Sequence, residues 1–148
     1  MNVLIMKKSN LFIVAILNIL FVSCMLDDFG NDAEKVVGTY SVSSVDHVTW
    51  GGATGTLTNS GNLTIIRTYG NNIQTSGFFN TTGRVSGNTV CFDGFTSSNA
   101  SGNIVYTFEP AYYSNNMMVF SIYGYGSLAD NGTFYSFQVI SNVTAIKN

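Results

Sequence analysis

The chain has 148 residues, of which 9% are charged, and its formal net charge at pH 7 is −2. Four basic and four acidic residues are scattered over residues 35–148. This pattern excludes nucleic acid as a partner, because phosphate binding requires clustered Lys and Arg side chains. A chain of this length holds one domain with one hydrophobic core.

The first predicted element is a short apolar run. Residues 11–22 are apolar except for Asn18, and Lys7 and Lys8 precede them. A basic start followed by a short apolar stretch is typical of a secretory signal peptide, whereas a membrane-spanning helix needs about 20 apolar residues. We therefore predict a signal peptide over residues 1–23, with Met1 or Met6 as the start of translation.

The end of this run, Phe21-Val22-Ser23-Cys24, resembles the lipobox of bacterial lipoproteins. The resemblance implies that Cys24 becomes diacylated and N-terminal, so that the membrane is a partner through the lipid on Cys24. More than one acyl chain holds a protein stably on a bilayer. The alternative is an ordinary signal peptide followed by a coincidental cysteine.

An acidic segment follows. Five of the nine residues from Asp27 to Lys35 are charged, against seven of the 108 residues from Ser41 onward. This shift in composition predicts a solvated acidic tether over residues 24–35. The acid pair Asp27-Asp28 resembles the surface-export signal of lipoproteins in some Gram-negative bacteria, which implies an outer-membrane lipoprotein facing outward. A protein that faces the periplasm is the alternative.

Residues 36–148 predict an all-β domain. Short runs rich in Val, Ile, Thr, Tyr and Phe alternate with predicted turns, and no helical periodicity follows the signal peptide. The turn signals include the Gly-Asn pairs at 61–62, 70–71, 87–88 and 102–103, Asn115-Asn116 and Asn131-Gly132. Hairpin after hairpin predicts an antiparallel up-and-down sheet of eight to ten strands that closes into a barrel, with a β-sandwich as the alternative. The predicted strands, some of which we expect to merge, cover residues 36–46, 54–58, 62–68, 73–79, 83–86, 89–95, 104–109, 117–123, 133–141 and 143–147.

Alternation within these runs predicts which side chains point inward. The inward set is bulky, and an eight-stranded barrel is just wide enough for side chains to fill it, so a packed interior is at least as well supported as an open cavity. The predicted inward residues are Tyr40, Val42, Leu63, Ile65, Phe92, Tyr106, Phe108, Phe120, Ile122, Phe137 and Val139.

The stretch Val36–Val42, with Gly38 and Tyr40, resembles the first strand of lipocalins and other calycins. The segments 61–67 and 143–147 are similar to small bacterial lipoproteins of the lipocalin-like kind. The resemblance spans about 36–147 and implies an eight-stranded antiparallel calycin-like barrel. It implies no shared catalytic residues.

Groups that could carry chemistry are few. His47 is the single histidine and has only Asp46 beside it, and in a strand these neighbours point to opposite faces. Metal sites need clusters of His, Cys or carboxylates, so we predict no metal, no cofactor and no enzymatic activity. The four acids of the domain, which include Asp46, are expected on the surface. Cys91 is expected to be a small buried apolar residue.

Aromatic residues in loop-like positions are the best ligand-contact candidates. Aromatic rings offer a large contact area at low entropic cost and suit sugars or apolar ligands. A surface-anchored, non-enzymatic binding module for a small apolar ligand or a glycan is the expected function. The alternative function is a protein–protein interaction module of inhibitor or adhesin type without a ligand cavity. The alternative for the aromatic residues themselves is structural, with Trp50 closing one mouth of the barrel and Tyr123-Gly124-Tyr125-Gly126 ending a strand. The candidates are Trp50, Tyr112, Tyr113, Tyr123 and Tyr125.

Overall fold

The computed structural model describes residues 30–148, and the predicted signal peptide and Cys24 lie outside the described residues. The described chain forms one short helix and ten strands. Among the described residues, no helix is long and apolar enough to span a membrane. The elements are α1 (Ala33–Val36), β1 (Gly38–Trp50), β2 (Ala53–Arg67), β3 (Asn72–Gly77), β4 (Thr82–Ser86), β5 (Thr89–Phe92), β6 (Phe95–Asn99), β7 (Gly102–Phe108), β8 (Ala111–Ser114), β9 (Met117–Asp130) and β10 (Thr133–Lys147).

All ten strands belong to one antiparallel sheet, and eight of them close into a ring. The ring runs β10-β1-β2-β3-β4-β5-β8-β9 and closes where β9 pairs with β10. The predicted all-β, antiparallel, ring-closed class is therefore confirmed. The strictly sequential order is not, because the β6–β7 hairpin is left out of the ring and pairs with β9 instead.

Four strands are long enough to serve the ring and to extend beyond it. β1, β2, β9 and β10 have 13 to 15 residues each. Their outer halves, together with β6 and β7, form an open six-stranded extension in the order β2-β1-β10-β9-β7-β6. We call this extension the upper sheet. It comprises residues 45–50, 53–61, 95–99, 102–108, 123–130 and 133–140.

The interior of the ring is packed with side chains. Tyr40, Leu63, Ile65, Ile73 and Met118 are fully buried. Every residue predicted to point inward is buried or half-buried. A cluster of phenylalanines fills the upper part of the core with ring centroids 5.0–6.5 Å apart, namely Phe79, Phe92, Phe108 and Phe120. Burial of this apolar area is the main force that holds the ring together.

The lower end of the ring is closed by α1. Ala33 and Val36 are buried against the barrel end, and the Tyr40 hydroxyl donates to the Val36 carbonyl oxygen at 2.7 Å. The buried Asn71 side-chain oxygen accepts the backbone N–H of Asp32 at 2.9 Å. Within the described part of the predicted tether, Ala33 packs on the ring while Glu34 and Lys35 are exposed; the tether itself stays a prediction.

Cys91 also differs from its prediction. It is half-buried on the outward face of β5, between the buried Val90 and Phe92, and it is disulfide-bonded. It therefore does not act as a plain buried apolar side chain.

Candidate ligand site at the upper mouth of the ring

A hollow of about 530 Å³ lies where the upper sheet meets the ring. One wall comes from β1 and β10, the opposite wall from β6 and β7, and the loop between β3 and β4 crosses the third side. Volumes of this size are typical of small-ligand sites. The lining residues are Ser44, Asp46, Gly77, Phe78, Phe79, Asn80, Phe95, Thr96, Ser97, Tyr106, Ile122 and Ser141.

The β1 wall carries a carboxylate. Alternation along β1 places Asp46 on the same face as the buried residues Val42 and Ser44, so its half-buried side chain points into the hollow. Its Oδ1 accepts the Ser44 hydroxyl at 2.8 Å, and its Oδ2 accepts the Asn59 side-chain amide at 2.5 Å. These two bonds fix the position of the negative charge.

The opposite wall is aromatic. Phe95 and Tyr106 are direct cross-strand partners, and their rings stack with centroids 4.8 Å apart and planes 23° apart. The Tyr106 ring also lies against β9 at Gly124, where a Cβ atom would come within 2.8 Å of the ring. The missing side chain at Gly124 is what lets the aromatic wall sit close to the sheet.

The floor of the hollow is the top of the packed core. Phe79 and Ile122 line it, and each is 7% exposed. Phe79 packs edge-on against Phe92 with ring centroids 5.2 Å apart. A ligand in the hollow would therefore stay at the mouth and would not enter the ring.

The electrostatic character of the hollow is negative. Asp46 is the only formally charged residue among those that line it. Burial and, secondarily, the Asp46 charge raise the pKa of the Tyr106 phenol, because both disfavour a second negative charge. Among residues 30–148, no group of three or more His, Cys, Asp or Glu side chains could hold a metal ion.

A second hollow, of about 340 Å³, lies beside β1, β2 and β10. Hydroxyl and amide side chains line most of it, with neither a charged nor an aromatic residue among them. It offers hydrogen bonds but no anchoring group, so the mouth hollow is the better candidate site.

The five candidate residues from the sequence do not line the mouth hollow. Trp50 is at the tip of the upper sheet, 40% exposed, with its ring edge-on to Tyr135. Tyr123 and Tyr125 flank Gly124 on the outer face of β9, and the Tyr123 hydroxyl donates to Glu109 at 2.7 Å. The ligand role of these residues remains a prediction.

The remaining candidates lie at the opposite end of the molecule from Trp50. Tyr112 is exposed on β8, and Tyr113 beside it is half-buried and bonds Asn116 at 2.9 Å. Tyr113 is at the same level of the sheet as Val42 of β1, because Tyr113 pairs with Met118, Met118 with Ala145, and Ala145 with Val42. Since Trp50 is eight residues further along β1, the two ends are about 26 Å apart at roughly 3.3 Å per residue. One ligand of ordinary size does not reach both.

The residues that do form the hollow were missed as site residues. Asp46 was expected on the surface, yet it shares the inward face of β1 with Tyr40, Val42 and Ser44. A carboxylate within an inward-facing alternation was the signal that could have found it. Tyr106 was predicted to point inward, which is correct, but its partner Phe95 lies on β6, which was not predicted as a strand of its own.

Comparisons of the chain with protein-family models, with curated proteins and with solved structures yield no match. The geometry described above therefore carries the functional argument.

Proposed function

We propose that this chain is a surface-anchored bacterial lipoprotein whose β-domain is a non-enzymatic binding module for a small ligand. The observation that supports the proposal is the mouth hollow, in which the stacked Phe95 and Tyr106 rings oppose the Asp46 carboxylate. Apolar walls with a few fixed polar groups are the usual composition of small-ligand sites. The ligand is a small molecule with an apolar face or a glycan.

The position of the hollow suits a tethered receptor. The described chain enters the domain at Gly30, and the helix that follows is docked at the lower end of the ring. The hollow lies at the other end, where β1 and β2 leave the ring. An anchor at Cys24 would thus attach on the side of the domain away from the hollow and leave the hollow turned outward.

The arrangement of Asp46 favours binding over catalysis. Ser44 and Asn59 hold both of its oxygens, and this fixes the carboxylate as a recognition group. General acid–base catalysis needs a group matched in pKa and within reach of the transferred proton. We therefore assign Asp46 the role of orienting a ligand.

The ligand proposal is tested by NMR titration of the mature protein with soluble glycans and small apolar compounds. We expect amide shifts to concentrate at β1, β6 and β7 around the hollow. Phe95→Ala should weaken binding, because it removes the stacking surface. Tyr69→Ala, in the exposed loop between β2 and β3, is the control and should bind as the native protein does. Shifts confined to the lower end would contradict this site.

The anchor proposal concerns Cys24, one of two cysteines in the chain. A sulfur atom in a disulfide cannot also carry a thioether-linked lipid. Because Cys24 is the one other cysteine, the disulfide of Cys91 would have to be absent from the lipidated form. Growth with a palmitate analogue should label the native protein and not Cys24→Ala. An unlabelled native protein whose mass shows a Cys24–Cys91 disulfide would contradict the anchor.

A specific observation also supports the second candidate, a protein–protein interaction module. One face of the upper sheet exposes large apolar side chains near its tip, including Trp50 at 40%, Tyr135 at 40% and Leu57 at 58%. Exposed apolar clusters mark interaction surfaces. Cross-linking on intact cells should yield a partner adduct that Trp50→Ser and Leu57→Ser abolish if this candidate is right, while variants of the hollow leave the adduct unchanged.

A further inference from the structure

We infer that the mouth hollow recognises a quaternary ammonium group, such as the trimethylammonium head of choline. The inference rests on the proposed function, since it names the ligand chemistry of the same hollow. Three features carry it, namely a carboxylate without a neighbouring cation, a set of aromatic rings that line the same hollow, and the hydrogen bonds that the carboxylate already accepts.

The first feature is the charge of Asp46. The two salt bridges among the described residues join Lys35 to Asp32 and Arg67 to Glu34, at the lower end of the ring. No Lys, Arg or His is among the residues that line the hollow. A half-buried carboxylate with no cation beside it favours a positive ligand, because the Coulomb attraction grows as water is displaced.

The second feature is the aromatic lining. Phe78, Phe79, Phe95 and Tyr106 all line the hollow. A cation placed over an aromatic face is attracted by the negative charge density of the ring, and aromatic cages are the common means of recognising quaternary ammonium groups. Neutral sugars also stack on aromatic rings and can donate hydrogen bonds to Asp46, but only a cation also gains the Coulomb attraction of its charge.

The third feature concerns hydrogen bonding. Each Asp46 oxygen already accepts a bond, one from Ser44 and one from Asn59. Two of the roughly four acceptor positions of the carboxylate are therefore taken, and a primary ammonium would need three acceptors to replace its lost hydration, whereas a trimethylammonium group needs none. The fixed carboxylate therefore supplies charge, and the rings supply the contact surface.

The test compares two ligands of nearly the same shape. Choline and 3,3-dimethylbutan-1-ol differ in that a quaternary nitrogen replaces a quaternary carbon, so only the charge distinguishes them. Binding to the mature protein is measured by NMR titration and calorimetry. We expect choline to bind about tenfold more tightly than the neutral alcohol, the ratio for a partly desolvated cation–π site.

Three variants test whether Asp46 and Phe95 cause the preference for choline over the neutral alcohol. Asp46→Asn should remove most of the preference for choline while leaving binding of the neutral alcohol nearly unchanged. Phe95→Leu should weaken choline binding several-fold. Asp130→Asn makes the same charge change at an exposed position at the end of β9 and should leave the ratio intact. Unchanged heteronuclear spectra away from the hollow verify that each variant is folded.

Two further measurements identify the source of the quaternary ammonium group, and their outcomes distinguish failure of this inference from failure of the proposed function. Sedimentation with phosphatidylcholine vesicles would assign a lipid headgroup, whereas binding of free choline without vesicle binding would assign a soluble ligand; either result supports the inference. Equal affinity for choline and its neutral isostere would overturn it and leave the hollow as a neutral-ligand site. If no compound of any class shifts the residues of the hollow, the proposed function itself fails.

Discussion

The ring of Tyr106 occupies the space that a side chain at Gly124 would need, with its Cε1 atom 2.8 Å from the position of a Cβ atom there. Phe78 stands in a similar relationship to Gly61, at 3.2 Å. Both glycines lie inside long strands, β9 and β2, and both rings line the mouth hollow. Glycines inside these strands thus leave the space that the aromatic rings of the candidate site occupy.

Gly124→Ala should therefore destabilise the fold and disturb the hollow. The added methyl group meets both Tyr106 and, at 2.6 Å, Val139, and overpacking of this kind costs about 1–3 kcal/mol. Urea denaturation measures the change. Gly55→Ala is the control, because a Cβ atom there meets nothing within 4 Å. If both variants lose the same stability, the close packing of Tyr106 against Gly124 does not explain the loss.

The same glycines explain where sequence reading went wrong. The Gly-Asn pair at 61–62 was interpreted as a turn, but it lies within β2, where the Asn62 carbonyl accepts the Phe78 N–H at 2.8 Å. A Gly-Asn pair looks the same in the sequence whether it forms a hairpin turn or lies under an aromatic ring. What distinguishes the two cases here is Phe78, 17 positions after Gly61, and the alternation within one strand does not contain that information.

The turns at Asn115-Asn116 and Asn131 were predicted correctly because they depend only on the conformations that the turn residues themselves can adopt. Asn115, Asn116 and Asn131 adopt positive φ angles of 51°, 61° and 49°, and Asn tolerates this left-handed region better than other side-chain-bearing residues. The inward-facing residues were also predictable, since alternation fixes them. The departure of β6 and β7 from the ring depends on β9 pairing with β8 and then with β7, which is a non-local choice.

The docking of α1 rests on the buried side chain of Asn71. Its Oδ1 accepts the backbone N–H groups of Asp32 and Ala33 at 2.9 and 3.4 Å. Asn71→Ala would leave buried donors unsatisfied, at a cost of about 1–3 kcal/mol. We expect the loss to appear as local detachment, measured by faster hydrogen exchange and proteolysis over residues 31–36. Glu34→Gln breaks only an exposed ion pair with Arg67 and should change neither measurement appreciably.

Tyr40 makes the fold sensitive to alkaline pH. Burial, followed by the neighbouring Tyr113, raises the pKa of its phenol above the ordinary value. The stability that this group contributes is complete below pH 10 and is lost as the pH rises through its folded-state pKa, because the unfolded chain releases the proton first. The free energy of unfolding should fall above pH 10 by up to about 1.4 kcal/mol per pH unit on account of this one group.

Tyr40→Phe isolates this effect. The variant loses the bond to the Val36 carbonyl, about 0.5–1.5 kcal/mol at neutral pH, but its stability should fall less steeply above pH 10. Denaturation curves at pH 8 and at intervals above pH 10 measure both changes. Tyr112→Phe, on an exposed side chain, should follow the native pH profile. Parallel profiles for the native protein and Tyr40→Phe would contradict the assignment to Tyr40.

The outer half of β2 should govern self-association. Residues 53–61 pair with β1 on one side only, since pairing with β3 begins at Leu63. This free edge contains neither charge nor proline, the features that usually protect edges from pairing with another chain.

Thr56→Lys should therefore lower light scattering at high protein concentration without loss of stability. Asn103→Lys places the same exposed charge at a position of β7 that pairs with Ser98 of β6 and Ser127 of β9, and should leave association unchanged. Equal suppression by both variants would show that net charge, and not the open edge of β2, controls association.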